Sequence, residues 1–202
     1  MKAVVFDFGR VISLSPEDSA WDEIAALVGL SADTLGAFIW GFRDEYDRGS
    51  FSCVEYYRAI LKAAGVEADD ACVAEMARLD SAAWTRMNPA TVRLMEDVKK
   101  AGYTLGILSN MSHDFLAWAR GNIPVFRLPD VSVFSCEEGS IKPEPAIYET
   151  LLARLGCAAS EVIFFDDVPV NVEKARDFGI RAYIWKDADT ARAALREHGI
   201  AL

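Results

Sequence analysis

The sequence predicts an α/β fold, in which a Rossmann-like parallel sheet is flanked by helices and a small all-helical cap follows the first strand. Three observations predict it. Short, continuously apolar runs recur along the chain, and several end in acidic or hydroxyl side chains. From residue 88 onward these runs alternate with helical patterns, whereas residues 14–88 contain helical patterns alone. Continuous rather than alternating apolar strands are typical of a parallel sheet that is covered on both faces.

Five apolar runs have the length and composition of buried strands. They span residues 3–7, 104–108, 131–135, 162–165 and 181–185. The first run ends at Asp7, the second is followed by Ser109 and Asn110, and the fourth is followed by Asp166 and Asp167. Ligands of open α/β sheets bind beyond the carboxyl ends of the strands, so we expect these side chains to meet at one edge.

Helix start and stop signals separate the later strands. Asn88 and Pro89 form an N-cap and first-turn pair, and Gly102 ends that helix. Further helices are predicted over residues 143–156, 169–179 and 187–199. Lys142 directly precedes the first of these, where backbone N–H groups at a helix start would favour an anion.

Residues 14–88 form the predicted cap. Its helices are predicted over residues 16–29, 31–47, 52–64 and 69–84, and Ser52 with Glu55 matches a capping box. The segment holds 6 basic and 14 acidic residues, so it carries a net charge of −8 out of −10 for the chain. We therefore divide the chain into an α/β core domain, residues 1–13 and 89–202, and a helical cap, residues 14–88.

Composition limits the classes of function and of partner. A length of 202 residues allows one domain with a modest insertion, and a hydrophobic content of 52% excludes a disordered chain. A net charge of −10 repels phosphate backbones and anionic lipids, so we expect neither a nucleic-acid nor a membrane partner. No apolar run reaches the roughly 18 residues of a spanning helix, and Asp7 and Arg10 interrupt any signal-like segment. We expect a cytoplasmic protein, as a monomer or homodimer.

The numbers and spacing of the cysteines and histidines also agree with a cytoplasmic protein and limit the kinds of metal site. The four cysteines are scattered without a CxxC pair, which favours reduced thiols over a disulfide framework or a zinc site. With two histidines in the chain, a site built from several histidines is excluded.

The acids at the predicted strand ends need a cation if they converge. Two carboxylates 4 Å apart repel by about 4 kcal/mol at an effective dielectric constant of about 20. Ligands that are all oxygens indicate Mg²⁺, and Mg²⁺ together with Lys142 and Ser109 would form a phosphate pocket. A carboxylate beside such a pocket can accept a phosphoryl group. The alternative is that each acid only caps a helix or a turn.

Four segments together resemble the successive motifs of the haloacid dehalogenase (HAD) superfamily. They read VVFDFG, ILSN, IKPEPAIYE and FFDDVPVN, and with the helical segment between the first two they cover nearly the whole chain. The chain most resembles the subgroup with a small helical cap and an FDxGxV first motif. That resemblance implies a Mg²⁺-dependent phosphatase that acts on a sugar phosphate or a similar small phosphorylated metabolite.

The resemblance also implies a role for each matching residue. Asp7 would attack phosphorus and form an aspartyl-phosphate. Ser109 and the backbone amide of Asn110 would hold the phosphoryl oxygens. Lys142 would neutralise the charge of the nucleophile and of the phosphate.

The implied metal ligands are Asp7, the backbone carbonyl of Gly9, Asp166 and Asp167, with one of the acidic pair binding through water. Asn171 would brace the acidic loop; the alternative is an amide on a helix surface.

Gly9 is the departure from the superfamily pattern. Most phosphatases of the superfamily carry there a second Asp that protonates the leaving group and activates water. Loss of general acid–base help costs about 10²- to 10⁴-fold in rate. We therefore expect a slow enzyme, or one that uses a good leaving group or a substituted acid, rather than a dead one. The next residue, Arg10, is interpreted either as a clamp on a substrate oxyanion or as a solvated turn residue.

Several residues, most of them in the cap, could either take part in the site or lie on the protein surface. Asp44, Glu45 and Asp47 could replace the missing acid, but a solvated acidic face is favoured for each. The cap aromatics are expected to pack together, with one or two facing the site, and His113 is expected at a helix start or on the surface. The acidic cap disfavours bisphosphates and nucleotides and favours a monophosphate with a neutral or cationic remainder.

Three functions remain open. The favoured one is a Mg²⁺-dependent phosphatase acting on a small phosphomonoester. A catalytically idle phosphate-binding or regulatory module is the second, and Gly9 supports it. A metal-independent 2-haloacid dehalogenase is the third, and the acidic pair argues against it because two acids would repel a carboxylate substrate.

Overall fold

A five-stranded parallel sheet forms the centre of the molecule. The structure, a computed structural model, describes residues 1–202. The strands are β1 (Ala3–Phe6), β2 (Thr104–Ser109), β3 (Val131–Phe134), β4 (Val162–Asp166) and β5 (Arg181–Ile184), in the spatial order β3-β2-β1-β4-β5. All four neighbouring pairs are parallel. The predicted α/β class is confirmed, and each predicted strand end lies within one residue of the observed end.

Ten helices surround the sheet or form the cap. They are α1 (Asp18–Ala26), α2 (Ala32–Asp47), α3 (Cys53–Ala64), α4 (Asp70–Ala83), α5 (Pro89–Lys100), α6 (His113–Asn122), α7 (Ser135–Glu138), α8 (Pro145–Leu155), α9 (Pro169–Asp177) and α10 (Ala188–Glu197). Short 3₁₀ turns occur at Pro124–Arg127 and Ala159–Glu161. The predicted Asn88 cap is confirmed, because its side chain accepts from the N–H groups of Ala90 and Thr91.

Both faces of the sheet are buried, as the continuous apolar strands predict. On β1, Val4 and Phe6 face the larger core cluster, which also takes in side chains of α5, α6 and α10. Ala3 and Val5 face the smaller cluster, which is formed with α8 and α9. Full burial of each large apolar side chain contributes about 1.5–3 kcal/mol, so this packing fixes the strand ends that carry the polar residues.

Helices α1 to α4 form the cap, which has an apolar core of its own. Twelve buried side chains make up this core, and the rings of Tyr46 and Tyr56 stack within it at 4.2 Å. The predicted capping box of α3 is present: Ser52 accepts from the N–H of Glu55, and the Glu55 carboxylate accepts from the N–H of Ser52. The two connections to the sheet run side by side, with Leu14 N–H donating to the Arg86 carbonyl at 2.7 Å.

Several predicted helices are longer than the observed ones; the helix predicted over residues 16–29, for example, spans Asp18–Ala26. One of these wrong boundaries affects the site. The helix predicted from residue 143 begins at Pro145, with Glu144 at the N-cap. The Glu144 N–H donates to the Ile141 carbonyl at 2.7 Å, so residues 141–144 form a turn rather than the first helical turn. Lys142 therefore lies in a loop, and the anion-favouring helix start that we expected beside it is absent there.

The remaining observations concern the membrane and the thiols. No helix has the length and apolar character that crossing a bilayer requires. All four cysteines are free, as predicted; Cys53 and Cys136 are buried, and Cys72 and Cys157 are partly exposed.

Candidate active site

The carboxyl ends of β1, β2 and β4 meet at one edge of the sheet. Asp7 follows β1, Ser109 ends β2 and Asp166 ends β4, and all three residues are buried. Lys142 reaches the same point from the loop before α8. A cavity of about 560 Å³ lies between this edge and the cap, and both parts of the chain line it. The structure thus brings together side chains that are up to 159 residues apart in sequence.

Lys142 is the central positive charge of the site. It is 4% exposed, and its Nζ lies 2.8 Å from Asp7 Oδ1 and 2.6 Å from Asp166 Oδ2. The contact with Asp166 is a hydrogen bond. The contact with Asp7 is an ion pair whose angles are unsuitable for a hydrogen bond, so the buried Asp7 Oδ1 has no hydrogen-bond partner. Burial lowers the pKa of Lys142, but Asp166 and Asp7 more than offset this, so its pKa lies above the usual value and the amine stays charged.

The side chain of Asn110 holds the loop that carries Lys142. Its Oδ1 accepts from the Lys142 N–H at 2.8 Å, and its Nδ2 donates to the Lys142 carbonyl at 3.0 Å. The sequence predicts a role for the backbone amide of Asn110, but not this use of its side chain. These two hydrogen bonds hold both the N–H and the C=O of Lys142, so they fix the backbone from which its side-chain amine extends into the site.

The two adjacent acids have different surroundings. Asp166 is fully buried and accepts hydrogen bonds from Lys142, from the Val168 N–H at 2.8 Å and from Asn171 Nδ2 at 3.2 Å. The side chain of Asp167 is 18% exposed, and its one ion pair is with Arg10, at 3.5 Å. Asp166 is therefore held by protein groups, Asn171 among them, whereas Asp167 has oxygen lone pairs to spare.

The chemistry of these carboxylates fits a divalent cation. Oxygens of Asp7, Asp166 and Asp167 all lie within 4.8 Å of one another. Burial raises the pKa of Asp7 to about 7, with Lys142 opposing this and Asp166 adding to it. Burial and then Asp166 also raise the pKa of Asp167. Oxygen ligands with an excess of negative charge are the donor set that Mg²⁺ prefers, so the residues present fit that ion.

Gly9 and Arg10 lie in the wide turn that follows β1. Gly9 has ordinary dihedrals, φ −64° and ψ 128°, but a Cβ there would lie 3.3 Å from Cζ3 of Trp84. Arg10 is the one non-glycine residue with positive φ, at 59°. Its side chain is half exposed, lines the cavity and lies beside Asp167. The Arg10 guanidinium can therefore contact an oxyanion in the cavity, although the side chain is not buried.

The three acids of the cap and His113 of the sheet domain, which were considered as site residues, lie in different surroundings. Asp44 and Glu45 are exposed, as expected for a solvated face. The expectation for Asp47 is wrong: it is 7% exposed, because Arg43 Nε lies 3.0 Å from both of its carboxylate oxygens. His113 begins α6 and is exposed, as expected.

The cap aromatics divide as expected. Trp40 and Tyr46 line the cavity. The others pack in or against the cap core: Trp21, Phe38, Phe42, Tyr56 and Tyr57.

Three residues that sequence reasoning missed also line the cavity: Arg43, Asp80 and Trp84. A signal for Asp80 exists in the sequence. It continues the buried stripe of α4 after Val73 and Met76, so an acid stands where the helical period calls for an apolar residue.

Comparisons with known proteins agree with the geometry. A family profile described as haloacid dehalogenase-like hydrolase matches residues 1–179. Phosphatase MT3486 of Mycobacterium tuberculosis is 28% identical over 194 residues, which cover 91% of this chain and 87% of that protein. D-ribitol-5-phosphate phosphatase of Bacteroides thetaiotaomicron is 25% identical over 195 residues, 91% of each chain. Mouse bifunctional epoxide hydrolase 2 is 30% identical over 215 residues, but the match spans 38% of that longer protein.

The fold is also found among solved structures. A HAD family enzyme from Bacteroides thetaiotaomicron, in complex with magnesium and inorganic phosphate, superposes with a TM-score of 0.70 at 20% identity. The superposition covers 93% of this chain and 95% of that one, and at this identity it establishes the fold alone. Since the family profile spans most of the chain and the motif residues converge at one sheet edge, the chain belongs to the haloacid dehalogenase-like hydrolases.

Proposed function

We propose that this hydrolase is a Mg²⁺-dependent phosphatase that cleaves a small phosphomonoester through an aspartyl-phosphate on Asp7. One observation carries the proposal. A buried carboxylate with an oxygen that lacks a hydrogen-bond partner lies 2.8 Å from a charged, buried lysine, at the base of a cavity large enough for a small metabolite. The names of the phosphatase relatives support the same chemistry.

Asp7, Asp167 and the backbone carbonyl of Gly9 are the ligands that we propose for Mg²⁺. Asp166 would bind the ion through a water molecule and not directly, since its oxygens already accept hydrogen bonds from Lys142, Val168 and Asn171. Bound there, Mg²⁺ would supply a positive charge for the phosphate oxygens and would lower the repulsion among the carboxylates.

The chain's own residues would perform the displacement. Asp7 attacks phosphorus in line with the departing oxygen, and the ester oxygen leaves with the substrate's remainder. Lys142 remains protonated and stabilises charge on the transferring phosphoryl group, while Ser109 Oγ and the backbone N–H of Asn110 donate hydrogen bonds to the phosphoryl oxygens. Water then cleaves the acyl phosphate, which releases inorganic phosphate and restores Asp7.

We propose that this phosphatase hydrolyses esters with poor leaving groups slowly, because Gly9 supplies no acid. Without an acid at this position, the leaving oxygen must depart unprotonated or take its proton from solvent. Aryl phosphates, whose leaving groups are stable anions, should therefore be turned over better than alkyl phosphates. An idle phosphate-binding module is the second candidate, and the absence of a carboxylate at Gly9 favours it.

Hydrolysis of p-nitrophenyl phosphate tests the proposal, with Mg²⁺ and with EDTA in excess. We expect turnover that EDTA abolishes and that Asp7→Asn lowers by at least about 10³-fold, because the amide is not a nucleophile. Asp22→Asn, on the exposed side of α1, is the matched control and should retain full activity.

Equal turnover by the Asp7→Asn and unmodified proteins would refute the proposal. Stabilisation by Mg²⁺ and phosphate without any hydrolysis would instead indicate the idle module. Halide release from a 2-chloro acid in EDTA would indicate a dehalogenase.

A further inference from the structure

Seven large apolar side chains are exposed on the protein, and three of them line the cavity that holds Asp7. Trp40 is 52% exposed, Val170 is 50% exposed and Val168 is 37% exposed. Outside the cavity lie the other four: Leu27, Val54, Trp118 and Ile184. Single exposed apolar residues are normal on a protein surface, whereas several around one cavity indicate a surface that a ligand covers.

On the cap side, two indoles form a wall that begins beside the reacting groups. Trp84 lies next to the turn after β1, because a Cβ on Gly9 would lie 3.3 Å from its Cζ3. The Arg43 guanidinium lies 5.9 Å from the ring centre of Trp84 and 6.0 Å from that of Trp40. The two indoles are therefore joined through one guanidinium. Trp84 is partly exposed and Trp40 is more exposed, so the wall runs from Gly9 outward to Trp40.

The guanidinium within this wall does not call for an anionic ligand. Arg43 Nε donates to both oxygens of Asp47 at 3.0 Å, and Arg43 Nη1 lies 3.8 Å from Asp80 Oδ1, so the protein itself balances the charge. Trp40 is held in place as well, since its ring packs against that of Trp21 with 6.3 Å between the ring centres. An aromatic ring that is already held contacts a ligand at a low cost in conformational entropy.

On the sheet side, the start of α9 presents two valines to the same cavity. Val168 is the N-cap of α9 and Val170 is its second residue. Val168 directly follows Asp167, which is a proposed Mg²⁺ ligand, so apolar surface begins one residue away from the metal site. The remainder of a phosphate ester bound at Asp7 would therefore lie among apolar groups of both the cap and the sheet domain.

The missing acid at position 9 narrows the chemistry of that remainder. Because Gly9 supplies no proton, an ester reacts fast only if its leaving oxygen is stable as an anion. A phenolate is such an anion, whereas an alkoxide is not. An aromatic ring bonded to the ester oxygen can also pack against the indole of Trp84, which lies beside Gly9. The missing acid and the apolar walls are independent observations, and they agree on one class of leaving group.

We propose that the apolar side chains of the cavity form a subsite for an aromatic leaving group, so that the preferred substrate is the monophosphate of an uncharged phenol. The subsite consists of four side chains: Trp40, Trp84, Val168 and Val170. This inference rests on the proposed phosphatase function and names the remainder of its substrate. The phosphoryl group lies at Asp7 and the ring lies against Trp84. An apolar substituent on the ring extends toward Trp40 and Val170.

Two esters whose phenols have nearly equal acidity test the subsite: phenyl phosphate and 4-butylphenyl phosphate. The butyl group makes the phenol no more acidic, so the cleavage step does not favour the larger ester. We expect kcat/KM of the unmodified protein, measured by release of inorganic phosphate, to be at least about 5-fold higher for 4-butylphenyl phosphate, because the butyl group covers apolar surface. n-Octyl phosphate is similarly apolar but has an alkoxide leaving group, and it should react at least about 10²-fold more slowly than 4-butylphenyl phosphate.

Two variants remove parts of the subsite, and two matched variants serve as controls. Trp40→Ala and Val170→Ser should each lower the preference for 4-butylphenyl over phenyl phosphate by at least about 2-fold, because each removes apolar surface that the butyl group covers. They change different elements, so either one that folds, judged by its circular dichroism and melting, suffices. Trp118→Ala and Val54→Ser change residues that are similarly exposed, 45% and 48%, but lie outside the cavity, so they should retain the preference.

The outcomes separate this inference from the function on which it rests. Equal kcat/KM of the unmodified protein for the two aryl esters would overturn the subsite, while turnover of p-nitrophenyl phosphate that EDTA abolishes would leave the phosphatase intact. A preference that is unchanged in Trp40→Ala and Val170→Ser, or lost equally in the two controls, would also overturn it. Turnover of n-octyl phosphate as fast as that of 4-butylphenyl phosphate would overturn the assignment to a phenol. Failure to hydrolyse any ester, p-nitrophenyl phosphate included, would remove the phosphatase function and the subsite with it.

Discussion

Trp84 and Gly9 meet at the position where a proton donor would be expected. The backbone of Gly9 has dihedrals that any residue can adopt, so conformation does not require glycine there. What limits a side chain is the indole, whose Cζ3 would be 3.3 Å from a new Cβ. A larger residue at position 9 therefore fits only if Trp84 moves by a few tenths of an ångström.

Gly9→Asp tests whether the proton step limits the rate. We expect kcat for an alkyl phosphate to rise by up to about 10²-fold, because the new carboxyl can protonate a poor leaving group. Turnover of p-nitrophenyl phosphate should change little, since its leaving group needs no proton. Steady-state kinetics on both esters, with Trp84→Phe added to make room, provide the measurement.

Gly9→Asn is the matched control for that variant. It has the same size and shape as the aspartate but cannot transfer a proton at neutral pH. A rise in kcat in Gly9→Asn equal to that in Gly9→Asp would show that the effect is steric and would remove the argument about protons.

The turn between α2 and α3 attaches the cap to the sheet domain. Ser135 Oγ donates to the Asp47 carbonyl at 2.5 Å, and Asp114 Oδ2 accepts from the Cys53 N–H at 2.6 Å. Gly49, with φ +88°, sits in this turn against α7 and the start of α6. A Cβ there would lie 2.9 Å from the Cys136 carbonyl oxygen, which is backbone and cannot move cheaply.

Gly49→Ala should therefore destabilise the protein more than the same change in open space. Gly65, which ends α3, is the matched control: its φ is +69° and no atom lies within 4 Å of the added Cβ. Both variants lose about 1–2 kcal/mol because alanine disfavours positive φ. Gly49→Ala should lose about 1–3 kcal/mol more through the clash. Urea unfolding measures both values, and equal losses would show that the turn can move away from α7 without cost.

At the scale of the whole molecule, a second contact joins the cap to the sheet domain. Arg48 of the cap donates to both oxygens of Glu144, each at 2.7 Å. Glu144 also accepts from Ser140 Oγ and the Ile141 N–H, so it joins the cap to the loop that carries Lys142. The hydrogen bonds from Arg48, the largest cause, with those from Ser140 and Ile141 lower the pKa of Glu144 to about 2.

This pKa predicts how stability depends on pH. A carboxyl whose pKa is depressed on folding stabilises the folded state above its unfolded value of about 4.3, and this contribution disappears as pH falls toward 2. Because Glu144 is partly exposed, we expect a modest effect. The difference in unfolding free energy between the unmodified protein and Glu144→Gln should be constant from pH 7 to about 5 and should shrink below that. A difference that stays constant down to pH 3 would contradict the assignment.

Local patterns in the sequence were enough to predict the sheet and the acids at its edge. Apolar runs are visible along the chain, and the rule that parallel strands share one carboxyl edge converts their last residues into neighbours. Asp7, Ser109 and Asp166 could be placed this way because each is the last residue of a strand or directly follows one. Lys142 was predicted as a neighbour for the wrong local reason, since it lies in a turn that ends at Glu144 and does not directly precede the first residue of α8, Pro145.

The sequence by itself determined the fold class, the strand ends and the family of this protein, because these depend on periodicity and on motifs that are contiguous in the chain. Only the tertiary structure decided which face of the cap meets the cavity. Arg43 and Asp80 lie on different helices, and Trp84 comes to rest beside Gly9 from 75 residues away. Their contacts depend on how two separately packed cores are docked, and no local pattern encodes that arrangement.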